Sequence, residues 1–266
     1  MTQLTPSPWR FAQAWALGVL LVGGLPWAHA ETATVVYTLD YPPLVIVADR
    51  AASDQGLATR VLRSAAKRAE LALDIQVVPW VRAQKSTLDG SGELLYPVIR
   101  TAAREPLYEW IGPVARIDYQ LFRLRTSQTV AVPARIEDFP NHRVGLVRAD
   151  PVTAMLKANG QSVKDEATSI LQLIKMLLGD RIDFIAATPE AMSYGLKLLG
   201  VDPQTVERVK PLNVLLTDGL AYVVARRGAD SEAIRKLRRA LADMRRDGSW
   251  DRAYDGTSAK GSEGRF

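Results

Sequence analysis

The sequence predicts an α/β chain of two similar lobes, and three observations carry that expectation. Strand-like runs alternate with helix-like runs from Thr32 onward. A polar stretch after Arg125, with prolines at 133 and 140, interrupts the alternation. A second strand–helix set then opens at Arg143. Each lobe is expected to be a mostly parallel sheet flanked by helices, with a ligand cleft between the lobes.

The elements follow in order. "TATVVYT" (Thr32–Thr38) is β-branched and aromatic, the composition of a strand. In Gly56–Leu71, Leu57, Val61, Leu62, Ala65 and Ala69 recur at helical spacing. Leu73–Pro79 reads as a second strand, and "PWVRAQKSTLDG" opens a helix with proline and stops it at Gly90. Glu93–Ile99 is a third strand, and Tyr119–Arg125 a fourth that alternates polar and apolar. In the second set, Arg143–Val147 is a strand, and Asp150 caps a helix whose first residue is Pro151. Ile170, Leu171, Ile174, Leu177 and Leu178 share one helical face. Phe184–Ala187 is a buried strand, and Thr188-Pro189 starts the next helix. Asn213–Arg226 reads as two strands with a turn between, and a charged amphipathic helix runs from about Ser231 to Arg246, before "DGSW". The expected division is a first lobe of 31–125 and 219–255, a second lobe of 126–218, hinge strands near 122–127 and 214–220, and a flexible tail over 256–266.

The N-terminus is read apart from the fold. Arg10 is the only charged residue before Glu31, Ala14–Gly24 is apolar, and Ala28-His29-Ala30 has the small-x-small pattern of a cleavage site. Residues 1–30 are therefore expected to be a signal peptide and the protein periplasmic. The apolar run is too short to span a bilayer comfortably, so no stable membrane insertion is expected after cleavage.

Composition narrows the chemistry. The 266 residues carry a formal net charge of +5, no cysteine and two histidines. Disulfides and thiol chemistry are excluded, and one histidine past the leader, His142, leaves no histidine triad or multi-histidine metal site. The charge excess reads as spread along the chain, which argues against a nucleic-acid partner. No cofactor and no metal is expected.

One stretch asks for a negatively charged guest. In "PVIRTAAREPLYEWIGP" (Pro97–Pro113) an apolar run ends at Thr101 between Arg100 and Arg104. A guanidinium offers a planar fork of donors to a carboxylate and does not deprotonate. The alternative is that Arg104 pairs with Glu105 or Glu109, and that Arg100 points into solvent.

The order of these pieces resembles the periplasmic solute-binding proteins of the polar-amino-acid type (extracellular solute-binding family 3), which serve ABC importers. The resemblance rests on Tyr41-Pro42-Pro43, Trp80, Thr101-x-x-Arg104, Trp110-Ile-Gly-Pro113, "LLGDRID" (Leu177–Asp183), Thr188-Pro189 and "DGSW", and it spans the chain after the leader. It implies the two-lobe periplasmic-binding-protein fold (type II). It also implies that Arg104 grips a ligand carboxylate, that Thr101 shapes the anion turn, and that Tyr41 and Trp80 are aromatic walls of the cleft, with core packing as the alternative for each aromatic.

The departures are specific. Ile99 stands where the family has a hydroxyl residue. Ala186-Ala187 precedes Thr188-Pro189 where it has an aspartate for the ligand's ammonium, leaving Glu190 as a substitute. Arg148-Ala149-Asp150-Pro151 replaces a glycine- and hydroxyl-rich loop. With Arg100 and Arg148 joining Arg104, and a helix N-terminus at Asp150, the site reads as cationic. The expected function is capture of a small carboxylate ligand, an acidic amino acid or another organic anion, by a monomer that closes and delivers it to ABC permease subunits of the inner membrane. The alternatives are a ligand-sensing periplasmic subunit and a periplasmic dehydratase with Glu190 or Asp150 as its acid.

Overall fold

The computed structural model describes residues 33–48, 51–52, 56–148, 150–158, 160–212 and 218–256. The expected signal peptide, the first strand of the expected Asn213–Arg226 pair, and all of the expected tail beyond Gly256 lie outside them. Thr32–Phe266 forms one compact unit by itself.

Thr34–Thr38 (β1) buries every second residue, as its alternation demands. A two-residue pair, Val47–Ala48 (β2) and Ala51–Ala52 (β3), precedes the helix Leu57–Arg68 (α1), whose buried face is the predicted apolar one. Leu73–Val77 (β4), Trp80–Leu88 (α2) and Leu94–Ile99 (β5) follow, the last buried at all six positions. Tyr108–Arg116 (β6) and Gln120–Leu124 (β7) end the first half.

The second half is Val144–Val147 (β8), Pro151–Ala158 (α3), Asp165–Ala167 (β9), Ile170–Leu178 (α4), Phe184–Ala187 (β10), Pro189–Leu199 (α5) and Val206–Pro211 (β11). The chain then returns through Leu220–Arg226 (β12) to Glu232–Arg246 (α6) and Ser249–Asp255 (α7). Ser169, Thr188 and Ser231 cap α4, α5 and α6 through their hydroxyls.

Two five-stranded sheets result, ordered β4-β1-β5-β12-β6 and β11-β7-β10-β8-β9. In the first, β1 runs parallel to β4 and β5, while β12 is antiparallel to β5 and β6. In the second, β8 is parallel to β9 and β10, and β7 is antiparallel to β10 and β11. Each sheet with its helices is one lobe.

Several expectations need correction. The sequence reading places Tyr119–Arg125 in the first lobe with a hinge at 122–127, yet β7 pairs Phe122 with Ile185 and Arg123 with Glu207 in the second sheet. The first crossing is therefore residues 117–119. Alternation identifies a strand without naming the sheet that receives it; the apolar β10 does that here. The strand before the return crossing is Val206–Pro211, ahead of the expected pair.

β6 is a strand that the sequence reading does not include, and it carries Gly112-Pro113, a pair that ordinarily interrupts a strand. It is tolerated at a sheet edge, where proline's missing N–H breaks no ladder on the outer side. Gly112 also allows close packing, since a Cβ there would lie 2.7 Å from the Leu241 Cδ1 of α6.

α7 seals the first lobe through Trp250, which is 1% exposed. Its indole N–H donates to the Pro113 carbonyl at 2.7 Å, and its ring stacks on Tyr254 at 5.1 Å. Trp250→Ala is expected to cost about 3–5 kcal/mol, a fall in melting temperature of about 6–20 °C for a chain of this size. A thermal melt showing almost no shift would contradict this placement of α7.

Candidate functional site

Segments leaving the carboxyl ends of the strands converge where the two sheets meet. Tyr41 follows β1, Trp80 follows β4, Thr101 to Arg104 follow β5, and Asp150 follows β8. Open α/β sheets present their ligand positions at these ends, because the loops there are free to diverge from the packed core.

Arg104 is held in place without an acidic partner. The Thr101 carbonyl accepts the N–H groups of Arg104 and Glu105, both at 3.0 Å, closing the turn that aims the side chain. The guanidinium Nη1 donates to the Ile99 carbonyl at 3.1 Å, and its carbon sits 5.0 Å from the Trp80 ring centroid. Among the described residues no carboxylate lies within the 4.0 Å that would make an ion pair. Burial lowers its pKa, while Tyr108, Tyr41, Tyr119 and Asp150 act the other way. The guanidinium stays charged, because its ordinary pKa is far above neutrality.

Asp150 is the counterpart across the site. It is 7% exposed, and its Oδ1 accepts the Val152 N–H at 2.9 Å, which caps α3 as the sequence predicted. Tyr119 Oη donates to the carboxylate at 2.6 Å, and Tyr41 Oη donates to Oδ2 at 3.3 Å. Tyr41 belongs to the first lobe, Tyr119 to the crossing segment and Asp150 to the second lobe, so this carboxylate ties all three together. Burial pushes the Asp150 pKa up; Tyr119, the Val152 N–H, Tyr41 and Arg104 pull it back without cancelling the rise. Burial and the Asp150 charge together push the Tyr41 and Tyr119 pKa values up, which keeps both phenols as donors.

The structure thus brings together Arg104, Thr101, Trp80, Tyr41 and Asp150. It places the other candidates elsewhere. Arg100, expected to join Arg104 on an anion, makes a bidentate pair with Glu105 at 2.7 and 2.8 Å and reaches Asp218 at 3.7 Å. It also lies over Trp110 and Tyr222, so its charge is consumed in fastening the end of β5 to β12. Glu105 therefore does take an arginine, but it takes Arg100 and leaves Arg104 unpaired.

Arg148, expected to reach the ligand from the second lobe, is exposed and pairs with Glu166 at 3.4 Å. Strand alternation explains this: the register of β8 with β9 sets Glu166 opposite Leu146, two residues before Arg148, so an extended chain turns the Arg148 side chain to the face that carries Glu166. Glu190 is half-buried in the first turn of α5, and its field adds to the burial that pushes up the Tyr254 pKa in α7. It does not join the Arg104–Asp150 group.

Tyr119 is the site residue that sequence reasoning missed. Its place at the head of an alternating run gave no hint that it sits in the crossing between lobes. Ile99 contributes its backbone carbonyl, which no side-chain comparison would reveal.

No protein-family model and no curated protein matches the chain. Solved structures do. A histidine kinase sensor domain with similarity to periplasmic binding proteins superimposes with a TM-score of 0.67 at 17% identity, covering 86% of this chain and 97% of that one. An ancestral arginine-binding protein bound to arginine gives 0.63 at 16% identity, covering 86% and 99%. The GluR0 ligand-binding core from Nostoc punctiforme, in complex with L-glutamate, gives 0.64 at 18% identity, covering 84% and 98%. At these identities the likeness establishes the two-lobe periplasmic-binding-protein fold.

The raised Asp150 pKa has a sign that can be read in solution. The folded protein holds this proton to higher pH than the unfolded chain does. The contribution of Asp150 to stability therefore declines as pH rises from about 4 through the raised value. Tyr119→Phe removes the largest support of the ionised form. Its deficit in melting temperature against the wild type is expected to grow with pH, reaching about 3–12 °C near neutrality. Melts between acid and neutral pH that show a constant deficit would contradict the assignment.

Proposed function

We propose that this protein captures a small ligand bearing a carboxylate, closing its two lobes over it in the periplasm. The observation that carries this reading is Arg104: a guanidinium fixed by Ile99 and Trp80, at the mouth of the first sheet, with no acid among the described residues within ion-pair distance. A protein that needed only stability there would place a carboxylate beside it or dispense with the charge. The fold adds support, because its named neighbours include amino-acid-binding proteins and sensor domains. We read the chain as a binding protein and not an enzyme.

The charge of the ligand follows from the site. Arg100 and Arg148 are occupied in ion pairs, which removes the reason to expect a multiply charged anion. A single carboxylate matches a single available guanidinium. A free amino acid is the class that adds a donor for the Asp150 side, by displacing the Tyr41 hydroxyl, which makes the longest of the Asp150 contacts at 3.3 Å. Delivery to ABC permease subunits of the inner membrane is the proposed fate of the ligand. The sensor-domain neighbour at a TM-score of 0.67 favours a second reading, in which the closed form signals to a membrane partner. In neither reading is a nucleic acid or a cofactor involved.

A thermal-shift screen of the chain from Glu31 tests the proposal against amino acids, organic acids and their amides. A ligand at a thousandfold its Kd adds about 4 kcal/mol, a shift of roughly 8–16 °C. Carboxylates are expected to stabilise the protein and their amides are not. Arg104→Ala should weaken binding about 10- to 150-fold, the worth of a charge-assisted hydrogen bond. Arg100→Ala should lower stability through the lost Glu105 pair and, by freeing Glu105 to compete for Arg104, should weaken binding by less than Arg104→Ala does. Equal stabilisation by acids and amides would contradict the reading.

A further inference from the structure

The charge of this molecule is not spread as the linear sequence suggested. α1 carries four basic and no acidic residues, α6 six basic and two acidic, and α7 one basic and two acidic. These three helices hold eleven positive against four negative groups, a net +7, in a chain whose total is +5. Everything outside them is net −2, and three of the acids there, Asp247, Asp230 and Glu109, pair with Arg68, Arg235 and Arg238 of these helices, which lowers the excess on this face to +4.

The three helices share one surface. α1 and α6 pack on each other, on α7 and on the same edge strand, β6. Arg68, at the end of α1, pairs with Asp247, just past the end of α6, at 2.5 Å and fastens the two. Lys67, Arg239 and Arg245 are exposed and in no ion pair with a described residue, with the Arg245 guanidinium 5.6 Å from the Trp250 ring centroid. The 15 residues of α6 span about 22 Å at 1.5 Å per residue, so the cations lie within a few Debye lengths of one another.

We propose that this helical face of the first lobe docks on an anionic phospholipid surface, reversibly and without insertion. The surface has charge but no anchor. The large hydrophobic side chains exposed among the described residues are Val81, Leu107, Val132, Leu178 and Leu198, and none lies on α1, α6 or α7. A specific protein interface concentrates its energy in buried aromatic and aliphatic anchors, which this face lacks. A lipid surface needs none, because each cation near it contributes on its own through the surface potential. Such docking would confine the protein near the membrane whatever its cleft binds.

The test is co-sedimentation of the chain from Glu31 with vesicles of about one-third phosphatidylglycerol in phosphatidylcholine, and with phosphatidylcholine alone. Binding is expected only with phosphatidylglycerol, and it should weaken as salt rises from about 10 mM to about 150 mM. The Lys67→Gln/Arg239→Gln/Arg245→Gln triple variant should bind about a hundredfold more weakly, at about fivefold per charge removed. The Arg181→Gln/Lys197→Gln/Arg208→Gln triple removes the same charge from the second lobe and should stay within about threefold of the wild type. Melting curves check that both variants are folded, and Arg239→Glu alone serves if the first triple is not. Equal losses in the two triples would overturn the proposal. So would absence of phosphatidylglycerol-dependent binding at low salt, which would turn attention to an acidic protein as the occupant of this face.

Discussion

A guanidinium without an acid organises this structure. Removing a charge from water costs several kcal/mol unless something replaces the lost solvent. Arg104 is compensated only in part, by the Ile99 carbonyl, the Trp80 ring and the more distant field of Asp150. Its neighbours are arranged so that no carboxylate among the described residues comes within ion-pair distance of it. Arg100 takes Glu105, and Tyr119 and Tyr41 satisfy Asp150. Each of those pairings keeps a carboxylate away from Arg104. The charge is left available at the place where the loops of both sheets meet.

Asp150 does a different job with the same economy of groups. One carboxylate caps α3, accepts a phenol from the crossing segment and accepts another from the opposite lobe. Its burial makes it sensitive to the loss of any of these donors, so the relative position of the lobes and the protonation of Asp150 are coupled. The Tyr41 bond is the longest and crosses between lobes, which makes it the contact most open to exchange. On the proposed function, motion of the lobes and occupation of the site act on the same few atoms.

Much of this was legible in the linear sequence, and the reasons are local. The helices α1, α4 and α6 announce themselves by apolar spacing, and the helix starts at Asp150 and Thr188 by residue type before a proline. Arg104 stood out because an apolar strand ends beside it. What stayed hidden depends on partners far along the chain. Whether Arg100 or Arg104 would take Glu105 turns on the geometry of one turn and on Asp218, Trp110 and Tyr222 behind it. Arg148 was misjudged because one step along an extended chain changes the face a side chain occupies. Tyr119 and the true first crossing were missed because alternation marks a strand but not its sheet. The basic face went unseen because α1 and α6 are more than 160 residues apart in the chain and meet only on β6.

The central claim is that Arg104 is kept unpaired for a ligand carboxylate. A crystal structure with the best-binding carboxylate tests it most directly. The account predicts both carboxylate oxygens at about 2.7–2.9 Å from Arg104 guanidinium nitrogens, with Trp80 still beneath the guanidinium and Arg100 still on Glu105. A ligand bound elsewhere, with Arg104 contacting only Ile99 and Trp80, would contradict it.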